Sequence, residues 1–218
     1  MIVVVIMGLL LGSILKGEEM ITSARVHNLI SQQDGIKAAY YGFVDRYRAL
    51  PGDYAAATAN IPGISANAAC GNGNGDGNGR IEVTGNEHLL VWEHLSKAGF
   101  VRGEYSCSAP PLSTLSTPVN ASAVFIELVW DANFDDPAGP ATTARHNLKT
   151  GSQIASNLLG EVDRKIDDGS ATGGGFRFSA YNGGAGAPVG SGRCYQADQQ
   201  NTWATASPYN NCGAASLL

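Results

Sequence analysis

MIVVVIMGLLLGSILKGEEM, residues 1–20, is the part of the chain that most constrains its fold. Met1 to Leu15 carries no charged side chain, and the apolar run stops at Lys16. A bilayer core needs about 20 apolar residues of helix, so this run, about 22 Å long as a helix, is short for a membrane span. A secretory signal peptide fits no better, because no Lys or Arg precedes the run and no small-x-small cleavage motif closes it.

Helical periodicity continues after Lys16. From Met20 to Tyr47, apolar side chains recur mostly three, four or seven residues apart. The pattern stops at Leu50-Pro51-Gly52, since the residue before a proline disfavours helix and glycine breaks it. We therefore predict a single helix over residues 1–50, apolar at its N-terminal end and amphipathic beyond. Such a helix needs partners to bury its apolar surface.

Two motifs in this helix are similar to those of a known superfamily. GLLLGSILKGEE (residues 8–19) and YRALPGD (residues 47–53) resemble the N-terminal helix of type IV pilins and of type II secretion pseudopilins. Mature chains of that superfamily open with a segment like Phe-Thr-Leu-Ile-Glu-Leu, and about six such residues would extend the run to the ~20 of a membrane span. We therefore expect Met1 to be an internal methionine, the alternative being a start here that would impair processing and assembly.

The resemblance implies an α+β class and the type IV pilin fold, with a long N-terminal helix packed on an antiparallel sheet. The head, residues 51–218, would end in a loop-rich, disulfide-stapled region. The implied function is a structural subunit that leaves the inner membrane and, with an assembly machinery, polymerises into an extracellular filament. The alternatives are a periplasmic type II secretion pseudopilin and a minor adhesin at a filament tip. The residues expected in the filament core are Ile2, Val5, Gly8, Leu10, Leu11, Gly12, Ile14 and Leu15.

Composition and cysteine content agree with an exported head. Charged residues make up 15% of the chain, which has 28 glycines, and the net charge of −5 provides no basic surface for nucleic acid. The even number of cysteines favours two disulfides with three possible connectivities. Proximity favours Cys70 with Cys107 and Cys194 with Cys212, the second pair being similar to the C-terminal disulfide loop of many pilins. Zinc is the alternative, disfavoured because no C-x2-C spacing occurs.

One motif, NGDGNGRIE at residues 74–82, predicts a cation site. Asn74, Asp76 and Asn78 alternate before Gly79, as in the first half of an EF-hand loop, and the carbonyl of Arg80 would follow. The twelfth position holds Gly85 instead of a glutamate, so Glu82 or, preferably, Glu87 would supply that carboxylate. We expect modest calcium affinity, at ~10⁻⁴–10⁻³ M. A glycine-asparagine turn without an ion remains the alternative. Related pilin-like proteins often bind calcium in loops.

No motif predicts an enzyme. His88 and His94 are six residues apart, which places them on opposite helix faces, unlike the metal-binding pair of H-E-x-x-H. The acidic pairs at 135–136 and 167–168 adjoin proline or glycine, where aspartate commonly serves turns. The sequence contains no G-x-S-x-G, P-loop or G-x-G-x-x-G motif.

A glycosylation pattern occurs at Asn120-Ala121-Ser122, which makes Asn120 a candidate acceptor, with a plain exposed loop as the alternative.

Secondary structure in the head is predicted only coarsely. We expect a helix that begins after Asn86 as N-cap and stops at Gly99. The other expected elements are a strand at 122–130, a helix within 151–169, a strand at 174–181 and an irregular or edge region at 182–218.

Overall fold

The computed structural model describes residues 2–107, 112–197 and 200–218, with the backbone alone for residues 2–15. Helix α1 runs from Ile2 to Tyr47 and ends shortly before the proline-glycine turn that the sequence indicates. In the described part of the chain, no helix combines the length and apolar character that crossing a membrane requires. The side chains predicted for the filament core lie outside the described residues: Ile2, Val5, Leu10, Leu11, Ile14 and Leu15, with Gly8 and Gly12 in the same segment.

The remaining elements form an α+β head. Its main sheet is antiparallel with strand order β1-β4-β6-β5, and β2 and β3 form a separate small ladder. This confirms the expected class, with a long N-terminal helix against an antiparallel sheet. The helices are α2 (Ala57–Asn60), α3 (Glu87–Lys97) and α4 (Ser156–Ile166). The strands are β1 (Glu127–Asp131), β2 (Asp135–Asp136), β3 (Gly139–Pro140), β4 (Arg145–Lys149), β5 (Phe176–Phe178) and β6 (Ala214–Leu217).

The second half of α1 packs against the head through one apolar stripe. Val26, Ile36, Tyr40 and Phe43 are buried at spacings that keep them on one face of the helix. The last three join a core with α3 and the sheet, whereas Val26 packs in a second core with α4. Gln33 lies in the same stripe, fully buried, and its Oε1 accepts a hydrogen bond from the Ser216 hydroxyl of β6. The helix is thus attached to the sheet by both apolar and polar contacts.

The two faces of the sheet differ in character. Leu128, Leu148, Ser216 and Phe176 lie opposite one another across the four strands, and both leucines share the core with α1. Side chains alternate between faces along a strand, so Glu127 and its partner Lys149 belong to the opposite face. That lysine is fully buried. Its Nζ donates to Glu127 Oε2 at 2.8 Å and to Asp131, and lies 5.0 Å from the Tyr181 ring centroid.

Two local expectations differ from the structure. Residues 182–218 contain β6, which is an inner strand between β4 and β5, so the expected irregular or edge region supplies part of the sheet centre. Asn86 does not cap α3, because its backbone is left-handed and its Nδ2 donates to the carbonyl of Ala69. Gly99 does end this helix as predicted, with a φ of +82° that favours glycine.

All four cysteines form disulfides, in the pairing that proximity favours. Cys70 is joined to Cys107 across 37 residues and Cys194 to Cys212 across 18. The first pair is anchored by the buried carboxylate of Glu93, which accepts from the backbone N–H groups of Cys107 and Ser65 at 2.6 Å each. Cys212 of the second pair lies two residues before β6, so this disulfide tethers an inner strand of the sheet.

Candidate functional site

Three carboxylates converge where the end of α1, the glycine-rich loop and the start of α3 meet. Asp53, Asp76 and Glu87 each place an oxygen within 4.8 Å of the others. Asp53 lies in the turn after α1, Asp76 in the loop, and Glu87 is the first residue of α3. Three segments that are separate in sequence thus supply one carboxylate each.

The glycine-rich loop wraps around Asp53. Its Oδ1 accepts the backbone N–H groups of Gly77 and Asn78 at 2.7 and 3.0 Å, and its Oδ2 accepts that of Gly79 at 2.8 Å. A Cβ at Gly75 would lie 2.3 Å from the backbone of Asp53, so only glycine permits this approach. The glycines of the motif therefore serve to bring the backbone onto a carboxylate.

Glu87 braces the other side of the loop. Its Oε1 accepts the N–H of Asp76 and its Oε2 that of Glu82, each at 3.0 Å. Burial raises the pKa of Glu87 to about 7, and the negative charges of Asp53 and Asp76 act in the same direction. Burial also raises the pKa of Asp53, against the opposing effect of its backbone donors. Among the described residues, no ion pair involves these three carboxylates, so a hard divalent cation would relieve their repulsion.

The other predicted ligands make different contacts. Asn74 faces α2, where its Oδ1 accepts from the N–H and hydroxyl of Thr58 at 3.0 and 3.1 Å. Asn78 Oδ1 accepts the N–H of Arg80, and its Nδ2 donates to Asp76 Oδ2. The guanidinium of Arg80 lies over the Trp130 ring, 5.6 Å from its centroid. The two asparagines thus brace the loop, as a turn without an ion also would.

Sequence reasoning missed Asp53. The structure brings Asp76 and Glu87 together as expected, and Asp53 is the third carboxylate of the group. The available signal was its position directly after Pro51-Gly52, where the chain reverses at the end of α1. That position alone does not indicate which distant loop it meets.

Buried His94 connects the two segments that carry Asp53 and Asp76. Its Nδ1 accepts the N–H of Gly52 at 3.0 Å, and its Nε2 therefore donates to the carbonyl of Gly73 at 3.1 Å. Burial lowers the pKa of His94 to about 4, so the ring is neutral at physiological pH. Its ring stacks on Phe43 of α1, with 6.1 Å between centroids. His94 therefore has a packing and hydrogen-bonding role in the structure.

The glycosylation candidate Asn120 is buried, not displayed in an exposed loop. Its Nδ2 donates to the carbonyls of Thr150 and Ser152, each at 3.0 Å. Its Oδ1 accepts the N–H groups of Ser122 and Val124. With every amide hydrogen-bonding group engaged, the folded head does not present this side chain to a sugar.

A second candidate surface lies on α1. Residues 16–25 contain no buried side chain, and two adjacent large apolar residues, Met20 and Ile21, are 68% and 56% exposed. Val26 is the first buried side chain of the helix in the described residues. Lys16, Glu18 and Glu19 separate this exposed apolar pair from the uncharged run of residues 1–15.

In comparisons with known proteins, no family model, curated protein or solved structure matches the chain.

Proposed function

We propose that the chain is a structural subunit that polymerises through α1 into a type IV pilus-like filament. The observation that carries this proposal is the exposed surface of α1 between residues 16 and 25, where no side chain is buried, at the end of an uncharged run of helix. From residue 2 to residue 25 the helix spans about 36 Å at 1.5 Å per residue. A helix of that length needs partners outside its own head, since the sequence of residues 1–15 is uncharged and Met20 and Ile21 are exposed.

Other copies of the same helix are suitable partners. Before assembly, the apolar segment would reside in the inner membrane with the head in the periplasm. Assembly would exchange lipid contacts for helix–helix contacts in a filament core. Gly8, Gly12 and Gly17 support this exchange, because small residues allow close helix approach and glycine weakens helix locally. The pilin fold is part of the proposal and is supported by the long helix on an antiparallel sheet and the disulfide-closed C-terminal region.

The experiment compares paired variants of the native chain by electron microscopy of sheared surface filaments. We expect Leu10→Asp, Ile14→Asp and the double variant Met20→Asp/Ile21→Asp to abolish filaments while the head stays folded. Leu115→Asp is the matched control, because Leu115 is 67% exposed and lies on the head. Intact disulfides and an unchanged thermal transition would report the folded head. Filaments that persist in all α1 variants would refute the proposal.

The same samples distinguish the alternatives. Long surface filaments with this chain as the repeating subunit support a major pilin. Recovery in the envelope alone, with secreted cargo lost on deletion, supports a secretion pseudopilin. A trace amount at filament ends supports a minor adhesin.

A further inference from the structure

A second group of carboxylates lies at the C-terminal end of α4, apart from the loop described above. Asp163, Asp167 and Asp168 each place an oxygen within 4.8 Å of the others. Calcium binds oxygen at 2.3–2.6 Å, so two oxygens on one ion are at most about 5 Å apart. The spacing of the three carboxylates is therefore compatible with a single calcium ion between them.

Asp163 is fully buried and only half satisfied. Its Oδ2 accepts the indole N–H of Trp203 at 2.7 Å, whereas its buried Oδ1 has no hydrogen-bond partner. The backbone N–H of Gly169 acts to lower the pKa of Asp163, but Oδ1 of Asp163 has no hydrogen-bond partner. Burial raises the pKa of this carboxyl to about 7, and the charges of Asp167 and Asp168 add to that effect. A buried acceptor without a donor is costly, and a cation would satisfy it.

The two other aspartates use one oxygen each to hold the chain. Asp167 Oδ2 accepts the N–H groups of Gly175 and Phe176, and Asp168 Oδ1 accepts that of Ser170 at 2.8 Å. Among the described residues, no hydrogen-bond donor reaches the remaining oxygen of either side chain. Each of the three aspartates therefore keeps one oxygen for a ligand while the other positions it.

Glycines let the backbone close tightly over this group. A Cβ at Gly173 would lie 2.5 Å from Asp168 Oδ2, and one at Gly174 would lie 2.1 Å from Asp167 Oδ2. The opposite side is open, since Asp168 lines two surface grooves of about 450 and 440 Å³. The cluster is thus enclosed by backbone on one side and reachable from solvent on the other.

We propose that Asp163, Asp167 and Asp168 form a calcium site that joins the end of α4 to the Gly173–Gly175 turn before β5. The ligands are all oxygens, as a hard cation requires, and water from the grooves would complete the coordination. Calcium fits better than magnesium, which demands near-ideal octahedral geometry and gives up its water reluctantly. Two basic side chains are near this group, and among the described residues neither forms an ion pair with it. Arg164 is directed to the carbonyl of Gly160 and the carboxylate of Glu161. Burial lowers the pKa of Lys37 on α1, and the negative charge of Asp167 opposes that effect.

The test distinguishes calcium binding at this site from binding at the Asp53, Asp76 and Glu87 carboxylates, which we call the loop centre. In the full chain carrying Asp76→Asn and Glu87→Gln, calcium is titrated calorimetrically, and terbium is titrated with excitation of tryptophan. We expect saturable calcium binding, and terbium emission sensitised by Trp203, which contacts Asp163 directly. Calcium should displace terbium. Adding Asp168→Asn should weaken binding by about tenfold or more, because ligand charge sets calcium affinity.

The control is Asp45→Asn, which removes an exposed carboxylate of α1 and should change nothing. Asp168 is the primary target because it is exposed, whereas Asp163 is buried and its variants could fail to fold. The proposal is overturned if no saturable binding occurs up to about 1 mM calcium, the weak limit of extracellular modules. It is equally overturned if Asp168→Asn leaves the affinity unchanged.

Discussion

The imidazole Nδ1 of His94 accepts a 3.0 Å hydrogen bond from the backbone N–H of Gly52, 42 residues earlier in the chain. The other ring nitrogen donates to Gly73. One neutral ring therefore joins α3 to both segments that carry Asp53 and Asp76, and it can do so only while it remains unprotonated. The positions of Asp53 and Asp76 therefore depend on the charge state of His94, which is not itself one of the three carboxylates.

Acid should weaken this connection. The pKa of His94 is lowered to about 4 in the folded chain from 6.5, so its contribution to stability is complete above pH 6.5 and falls as pH drops to about 4. We expect that contribution to be about 3 kcal/mol. His94→Asn keeps an acceptor for Gly52 but does not titrate, so its free energy of unfolding should lose this component of the pH dependence.

Urea denaturation of both proteins between pH 4 and 7.5 checks this prediction. The wild-type curve alone is not sufficient, because the raised pKa of Glu87 contributes with the opposite sign as pH rises from about 4.5 to 7. The difference between the two proteins isolates His94. Parallel curves would contradict the prediction.

Calcium should stabilise the loop centre. With a dissociation constant of ~10⁻⁴ M, about 1 mM calcium would add about 1.4 kcal/mol, or roughly 3–5 °C in the melting temperature. Calcium removal with a chelator should reverse the shift. Glu87→Gln should reduce it, and Glu82→Gln is the matched control because Glu82 contacts the cluster through its backbone N–H. To exclude the α4 cluster, both variants are compared in an Asp168→Asn background. An equal shift in both would argue for a turn without an ion.

Lys149 should be the costliest single charge to remove. Its ammonium is buried between Glu127 and Asp131, so Lys149→Met leaves carboxylates without a counter-charge. We expect a loss of about 3–5 kcal/mol in the free energy of unfolding, measured by urea denaturation at neutral pH. Glu127→Gln/Lys149→Met should recover part of the loss. Equal losses for the single and double variants would contradict this explanation.

Gln33 and Ser216 should be energetically coupled. Their buried hydrogen bond connects α1 to β6, and the Nε2 of Gln33 has no hydrogen-bond partner. We expect Gln33→Met and Ser216→Ala each to destabilise the head, with a coupling of about 0.5–1.5 kcal/mol in a double-mutant cycle. Chemical denaturation of the four proteins measures it. Additive effects would mean that the helix is held by apolar contacts alone.

The Cys194–Cys212 disulfide should contribute substantially to the stability of the head, although it lies near the C terminus. It closes 18 residues and precedes β6, an inner strand. Cys194→Ala/Cys212→Ala should lower stability by about 3 kcal/mol, or roughly 6–12 °C in the melting temperature. Differential scanning calorimetry checks the value. A change below 2 °C would show that β6 is held without this tether.

Local signals were sufficient for some elements. Helix α1 follows from side-chain periodicity and a proline-glycine stop, and α3 ends at Gly99 because glycine adopts the left-handed backbone there. They failed for β6, whose small residues carry little strand pattern and whose place between β4 and β5 depends on partners far away in sequence. Asn86 likewise has N-cap chemistry, but a tertiary hydrogen bond to Ala69 engages its side chain instead.

The long helix, its uncharged beginning and the glycine-asparagine loop can be read from the sequence, because periodicity and turn chemistry act between near neighbours. Which carboxylates lie together depends on the packing of distant segments. Asp53 lies next to Asp76 because α1 ends close to α3. Asp163 is buried and accepts a hydrogen bond from Trp203, which is 40 residues away in sequence. Such meetings depend on long-range packing, which brings together residues that no local pattern relates.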